Sequence, residues 1–486
     1  MQQAFKAHMP NRATGLRRAG CKRPTLFTCR AAPAVASSIS ADAAVSWATS
    51  KGAKLERASL STDLLTDRPV LIASADAQQG DVLFSVPDSA WLSAETVKKT
   101  TVGKLAAAAG LEPWLQIALQ LLADRFGSSS SSKSELSPYA ANIPNNLDTP
   151  ILWSDDELRE LQGTQVLQTL GSYQTFFRAT FQQLQSGLFA ENPATFPPDT
   201  FTLPHFLWAV AAVRSRSHTP LDGSKIALAP LTELVSHRRS ANSKLAVRSA
   251  GLFGRGQVLL LEATRSIRKG EQLSTDYGQG KLDGPVLLDY GVMDATSPKP
   301  GYSLALTMPD SDRFIDDKLD ILESNGLRQS MTYNLTPDEQ PTTEMLAFMR
   351  LMELKGMDAF LLESIFRNDV WGFMQDPVSE ANEEALCTTL SEGARTVLAG
   401  YTTSIDEDLA ALRAGTHPKG SRREAALLVR LGEKEALDAV ARFFEDRRAT
   451  QLKRLVYYQE RRLRRLGLVD DEGRTTYDSF FKDGIA

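Results

Sequence analysis

The first three hundred residues read as short β-prone segments, interrupted by a helix-rich stretch and then resumed. This interruption constrains the fold more than any total does. Pro69-Val-Leu-Ile-Ala-Ser74 and Asp81-Val-Leu-Phe-Ser-Val-Pro87 are apolar and rich in strand formers, with a Gln79-Gly80 turn signal between them. Helical spacing follows over Leu111–Phe126, a capping box opens another helix at Ser154-Asp-Asp-Glu157, and Thr202–Val213 reads as helical again. Strand texture returns after Asp222-Gly223, with Gln257–Glu262 as a strand and Arg268-Lys-Gly-Glu271 as a turn. Beyond roughly residue 300 the pattern is helical over Glu344–Leu354, Glu380–Leu398, Ile405–Leu412 and Arg422–Leu466. An α+β chain with an all-α final third is therefore expected. At 486 residues it is too long for one ordinary core and is expected to form two or three domains.

The ends and the charge narrow the function. Residues 1–41 hold Lys6, Arg12, Arg17, Arg18, Lys22, Arg23 and Arg30 and no acidic residue. Such an Arg-rich, acid-poor leader resembles an organelle transit peptide, the alternative being a basic tail without an address. Without its seven positive charges the formal net charge falls from −4 to −11. So acidic a chain is ill suited to a phosphate backbone, and no nucleic-acid partner is expected. No stretch reaches the roughly 20 apolar residues of a membrane-spanning helix, so no membrane partner is expected either. Cys21, Cys29 and Cys387 match no metal or disulfide framework, and the five histidines are scattered, so no metal is expected.

Polar residues gather at strand ends and turns in three places: Arg214-Ser-Arg-Ser-His218, Ala229-Pro-Leu-Thr-Glu-Leu-Val-Ser-His237, and Gly270-Glu-Gln-Leu-Ser-Thr-Asp-Tyr-Gly278 followed by Leu287-Leu-Asp-Tyr-Gly291. Their order and spacing resemble the SET-domain protein-lysine methyltransferases of the plastid Rubisco large-subunit methyltransferase type. In that family a helical insert interrupts the catalytic domain, and a Rubisco-substrate-binding domain follows it. Ser137-Pro-Tyr-Ala-Ala-Asn-Ile-Pro144, Trp153 and Glu157–Gly163 resemble the insert, while Ser379–Glu383, Tyr401–Asp408 and Arg430–Lys434 resemble the C-terminal domain. The resemblance spans about residues 44–445. It implies a transit peptide over 1–40, a β-rich SET domain over 41–300 with its insert at about 96–215, and a helical domain over 301–486.

The same resemblance implies the chemistry. S-adenosyl-L-methionine would be the cofactor and a lysine of a plastid stromal protein, such as the Rubisco large subunit or fructose-bisphosphate aldolase, the methyl acceptor. Tyr277 would be catalytic and touch the cofactor. Arg216 would pair with the cofactor's carboxylate and, with Glu233, receive the lysine. Ser236 and His237 would hold the cofactor, and Tyr290 would line the lysine channel. Physically, methyl transfer needs nitrogen, methyl and sulfur held in line, together with an amine neutralised by burial and by the neighbouring cation. Three positions depart from the pattern: Ser236 replaces an Asn, Asp283 replaces another, and Arg68-Pro-Val-Leu71 stands where a Gly-x-Gly-Leu turn belongs. The alternative they raise is a weak or inactive SET-like protein that binds a plastid partner.

Overall fold

The computed structural model describes residues 41–63, 68–127, 133–217, 225–249 and 256–470, with 472 and 474. The basic leader, the serine run 128–132 and His218 lie outside the described residues. Helix α1 (Ala41–Ser50) leads into β1 (Ala58–Thr62) and β2 (Pro69–Ala73), which pair antiparallel from Ala58↔Ala73 to Thr62↔Pro69. Pro69 is exposed and opens its strand, where the missing N–H costs least. Strand β3 (Val82–Pro87) follows, but it does not pair with β2 across the Gln79-Gly80 turn.

The insert supplies helices α2 (Pro113–Phe126), α3 (Ser137–Asn142), α4 (Gln165–Leu184) and α5 (Leu203–Arg216). Their starts are written locally. Thr164 and Thr202 cap α4 and α5 by accepting the N–H of Leu167 and His205, and the capping box at Ser154 and Glu157 forms as its spacing predicts.

Four strands close the first half: β4 (Ser236–His237), β5 (Ser243–Ser249), β6 (Gln257–Ala263) and β7 (Ser274–Thr275). The partner of β3 is β6, which also pairs with β5, so the order is β3-β6-β5 and all pairs are antiparallel. Strands β4 and β7 form a short parallel pair, with Ser236 opposite Ser274 and His237 opposite Thr275. Helix α6 (Asp283–Tyr290) ends at Gly291, whose φ of 69° is the left-handed cap glycine allows.

The C-terminal third is helical, as expected, but it is not wholly α. Strands β8 (Tyr302–Thr307) and β9 (Ser330–Leu335) pair antiparallel at its start. Tyr302, Leu304 and Leu306 are buried while Ser303 and Ala305 are less so, a period-two pattern overshadowed by the helical periodicity around it. Helices α7 (Thr343–Met352), α8 (Glu380–Leu398), α9 (Ile405–Ala414) and α10 (Arg422–Asp446) follow. The expected helical run to Leu466 breaks after Asp446 into a π-turn and a 3-10 turn, then restarts as α11 (Tyr458–Arg465). Leu452 and Tyr458 are buried in the C-terminal core, which requires the turn.

Three apolar cores result, one between the β-sheets, one in the insert and one in the C-terminal third. Helix α10 serves two of them: Ala426 and Val429 join the insert's core, while Ala436, Leu437, Val440 and Phe444 join the C-terminal one. Polar contacts fasten the seam. Arg430 pairs with Asp408 (2.8 and 3.0 Å) and donates to the Glu160 carbonyl (2.6 Å). Lys434 lies 2.5 Å from the same Asp408, and its ammonium and the Arg430 guanidinium are both buried. Glu433 accepts from the Gln165 N–H at the start of α4 (3.0 Å) and from the Tyr401 hydroxyl (2.7 Å). No described helix is long and apolar enough to cross a membrane.

Candidate active site

The parallel pair β4–β7 brings the second and third polar segments together. Tyr277, two residues past β7, is held at both ends by the strand opposite. Its N–H donates to Nδ1 of His237 (3.2 Å), and its hydroxyl donates to the Val235 carbonyl through a very short bond. Its ring lies 5.2 Å from the His237 ring and 5.2 Å from that of Tyr290. Gly278 lets the chain pass close to α6, where a Cβ would stand 2.9 Å from the Val286 side chain. Burial, with the Glu233 carboxylate adding to it, pushes the Tyr277 phenol well above its usual range despite the opposing charge of Arg216. Tyr277 therefore stays protonated and acts as a hydrogen-bond donor rather than a base.

His237 accepts at Nδ1, so the neutral ring carries its proton on Nε2. That Nε2 is buried without a hydrogen-bond partner. Burial lowers the imidazole's proton affinity, with Asp276 and Arg239 acting in opposite senses, so the ring is neutral near pH 7. Ser236 turns its hydroxyl to the side-chain amide of Gln272, which donates to it at 2.6 Å.

Helix α5 delivers the first segment. Arg214 is spent on structure: it pairs with Asp289, bonds the Tyr173 hydroxyl at 3.0 Å and lies 4.4 Å from that ring's centre. Arg216, two residues on, bonds among the described residues its neighbour Ser215 (3.0 Å) through Nη1, and its Nε is buried without a partner there. The charges of Arg216 and Glu233 both act on Tyr277. Of the departures from the family pattern, Asp283 pairs with Arg239 (2.8 Å) and accepts the Lys299 N–H (2.9 Å), a load-sharing role that an amide would fill less well. Arg68 pairs with Asp148 (2.5 Å).

While the Ser236 hydroxyl is turned to Gln272, the predicted residues Arg216, Glu233, His237, Tyr277 and Tyr290 thus converge on one place, and Tyr139 of α3 joins them. Its hydroxyl is buried without a partner, and its ring feels the charges of both Glu233 and Arg216. Sequence reasoning placed Tyr139 in the insert without a role. The signal available was a tyrosine in a segment shared with the family, which carries no pointer to the site. Among the described residues no group of three or more His, Cys, Asp or Glu could hold a metal ion.

Comparison with known proteins shows what the chain as a whole is similar to. A family model described as Rubisco LSMT substrate-binding matches residues 309–437. The chain is 34% identical over 406 residues to the chloroplastic fructose-bisphosphate aldolase-lysine N-methyltransferase of Arabidopsis thaliana, covering 83% of this chain and 82% of that protein. It is 33% identical over 431 residues to the chloroplastic ribulose-1,5 bisphosphate carboxylase/oxygenase large subunit N-methyltransferase of Nicotiana tabacum, covering 88% and 86%. The actin-histidine N-methyltransferase of Homo sapiens is similar at 27% identity over 411 residues, covering 81% of this chain and 66% of that one. The crystal structure of the SET domain of LSMT bound to lysine and AdoHcy matches with a TM-score of 0.76 at 32% identity, covering 89% of this chain and 96% of that one.

Proposed function

Because the chain belongs to the SET-domain protein-lysine methyltransferases of the Rubisco large-subunit methyltransferase type, we propose that the cluster around Tyr277 transfers a methyl group from S-adenosyl-L-methionine to a lysine of a plastid stromal protein. The observation that carries this reading is the double anchoring of Tyr277 on Val235 and His237, which fixes a protonated phenol beside Arg216 and Glu233. The chain's free groups fit the cofactor. The buried, unpartnered Nε–H of Arg216 suits its carboxylate, and the buried Nε2–H of His237 is a donor for the rest of the molecule. When bound, the cofactor supplies an activated methyl on a cationic sulfur.

The residues then do the positioning. Tyr277 and Tyr290, with rings 5.2 Å apart, form an aromatic wall that orients the acceptor amine and keeps water out. The Tyr277 hydroxyl, already donating to Val235, offers its lone pairs to the amine. Burial lowers the amine's own proton affinity, so no metal is needed to prepare the nucleophile.

The substrate is the Rubisco large subunit or fructose-bisphosphate aldolase, the acceptors named for the similar plant enzymes, both of which are chloroplastic. Residues 1–40 serve as the transit peptide, 41–300 as the SET domain with its insert, and 301–486 as the domain that docks the protein substrate. The match of residues 309–437 to the substrate-binding family supports that last division. Calorimetric titration with S-adenosyl-L-methionine, followed by transfer of labelled methyl to each purified protein, tests the reading. Saturable binding and labelling of one of the two is expected, and absence of cofactor binding overturns it.

A further inference from the structure

The Tyr277 cluster contains an imbalance that positioning alone does not explain. Oε2 of Glu233, the hydroxyl of Tyr139 and Nε of Arg216 are all buried and all lack a hydrogen-bond partner. A buried polar group left unsatisfied is destabilising, and these three come from separate segments: Arg216 acts on Glu233, and both act on Tyr139. Tyr139 is 2% exposed and its ring stacks on Trp47 at 6.0 Å, so its hydroxyl is held in place by packing.

The backbone is also distorted at this point. Leu231, with φ 76° and ψ −23°, is the one non-glycine residue with positive φ among the described residues, and it opens the turn that presents Glu233. A leucine is strained in that conformation. Arg216 from α5 acts on Glu233, and the Glu233 charge is in turn felt by Tyr139 from α3 and by Tyr277 beyond β7. Burial raises the Glu233 carboxyl's proton affinity, opposed by its own backbone N–H and by Arg216.

Resting on the methyltransferase reading, we propose that Glu233 is the proton acceptor for the substrate ammonium, with the buried hydroxyl of Tyr139, which lies in the carboxylate's field without bonding to it, tuning it. One N–H bond of the ammonium breaks and its electron pair stays on nitrogen as the nucleophile. The proton forms an O–H bond with Oε2 of Glu233 and passes to solvent after the methylated product leaves. Nothing is oxidised or reduced. The unpaired oxygen is what this step requires, since an oxygen already accepting strong hydrogen bonds would be a poorer base.

Three measurements on the full chain test this. The first is the pH profile of kcat/KM on Rubisco and on aldolase, from pH 6.5 to 10, for wild type, Glu233→Gln and Tyr139→Phe. Glu233→Gln is expected to lose about 100-fold or more near pH 7 and to approach wild type near pH 10, where the amine arrives neutral. Tyr139→Phe is expected to keep its KM but move the pH of half-maximal rate. The second is binding of free lysine in the presence of AdoHcy. Its affinity should be nearly flat with pH in wild type and rise about tenfold per pH unit in Glu233→Gln, which can take only the neutral amine.

Cofactor binding by calorimetry is the third, and it should be unchanged within about threefold in both variants, which separates loss of chemistry from loss of fold. If wild type neither binds cofactor nor methylates either protein, the methyltransferase reading fails. If wild type is active and the Glu233→Gln profiles superimpose on it, this assignment fails alone. An unmoved Tyr139→Phe profile removes Tyr139 from it.

Discussion

Glu433 sits at the seam between insert and C-terminal core, 3% exposed, and replacing it with glutamine should remove a pH dependence from the whole fold. Its carboxylate accepts from the Gln165 N–H and the Tyr401 hydroxyl, bonds that favour ionisation. Burial outweighs them and pushes the group from its ordinary 4.5 up to about 7. Below pH 4.5 the group is protonated in both folded and unfolded chains, and its contribution to stability is fully present. Between 4.5 and about 7 the folded chain retains a proton that the unfolded chain has released, so stability falls as pH rises. Above about 7 the loss is complete. At about 1.4 kcal/mol per pH unit, the interval corresponds to about 3 kcal/mol.

Glutamine keeps an acceptor oxygen for both donors and carries no charge at any of these pH values. Urea unfolding of wild type and Glu433→Gln, followed by tryptophan fluorescence at intervals from pH 5 to 8, reads the effect directly. The variant should gain on wild type by about 1.4 kcal/mol for each pH unit up to about 7 and hold a constant lead beyond it. Two curves that run parallel within about 0.5 kcal/mol across the range would refute the reasoning, since the burial penalty would then be absent.

Three further outcomes are expected. Asp408→Asn leaves the buried charges of Arg430 and Lys434 without their carboxylate and should cost about 3–5 kcal/mol in the same unfolding measurement. Tyr277→Phe removes a donor to Val235 and the hydroxyl facing the amine, and should lower kcat by about 100-fold or more while cofactor binding by calorimetry changes little. Ser236→Ala should change the cofactor Kd by less than about threefold, because that hydroxyl is engaged with Gln272; a large loss would show that it serves the cofactor instead.

Much of this fold was legible wherever the determinants are local. Thr202 and the Ser154–Glu157 box announce their helices, and the limits of Glu380–Leu398 follow from periodicity with Ser379 as cap. The site was legible as an ordered set of segments, and Arg216, Glu233, His237, Tyr277 and Tyr290 do converge. What escaped depends on distant partners. Strands of two residues, such as β4 and β7, have no periodicity to detect. The structural partners of Arg214, Tyr173 and Asp289, lie far away in sequence. Tyr139 reaches the site only because the insert folds back over it, and the Ser236 hydroxyl takes its partner, Gln272, from 36 residues away.

Helix α10, shared between two cores, also sets a timetable for the chain's assembly. A polypeptide that emerges N-terminus first completes its insert only when Ala426 and Val429 arrive, long after the catalytic segments have been made. Until then the insert keeps an uncovered apolar face, the kind of surface that chaperones bind and that aggregates form through. Shortened chains ending near residue 300 inherit that open face permanently. The N-terminal part is therefore a dependent lobe, covered by a helix that begins more than a hundred residues beyond Tyr290.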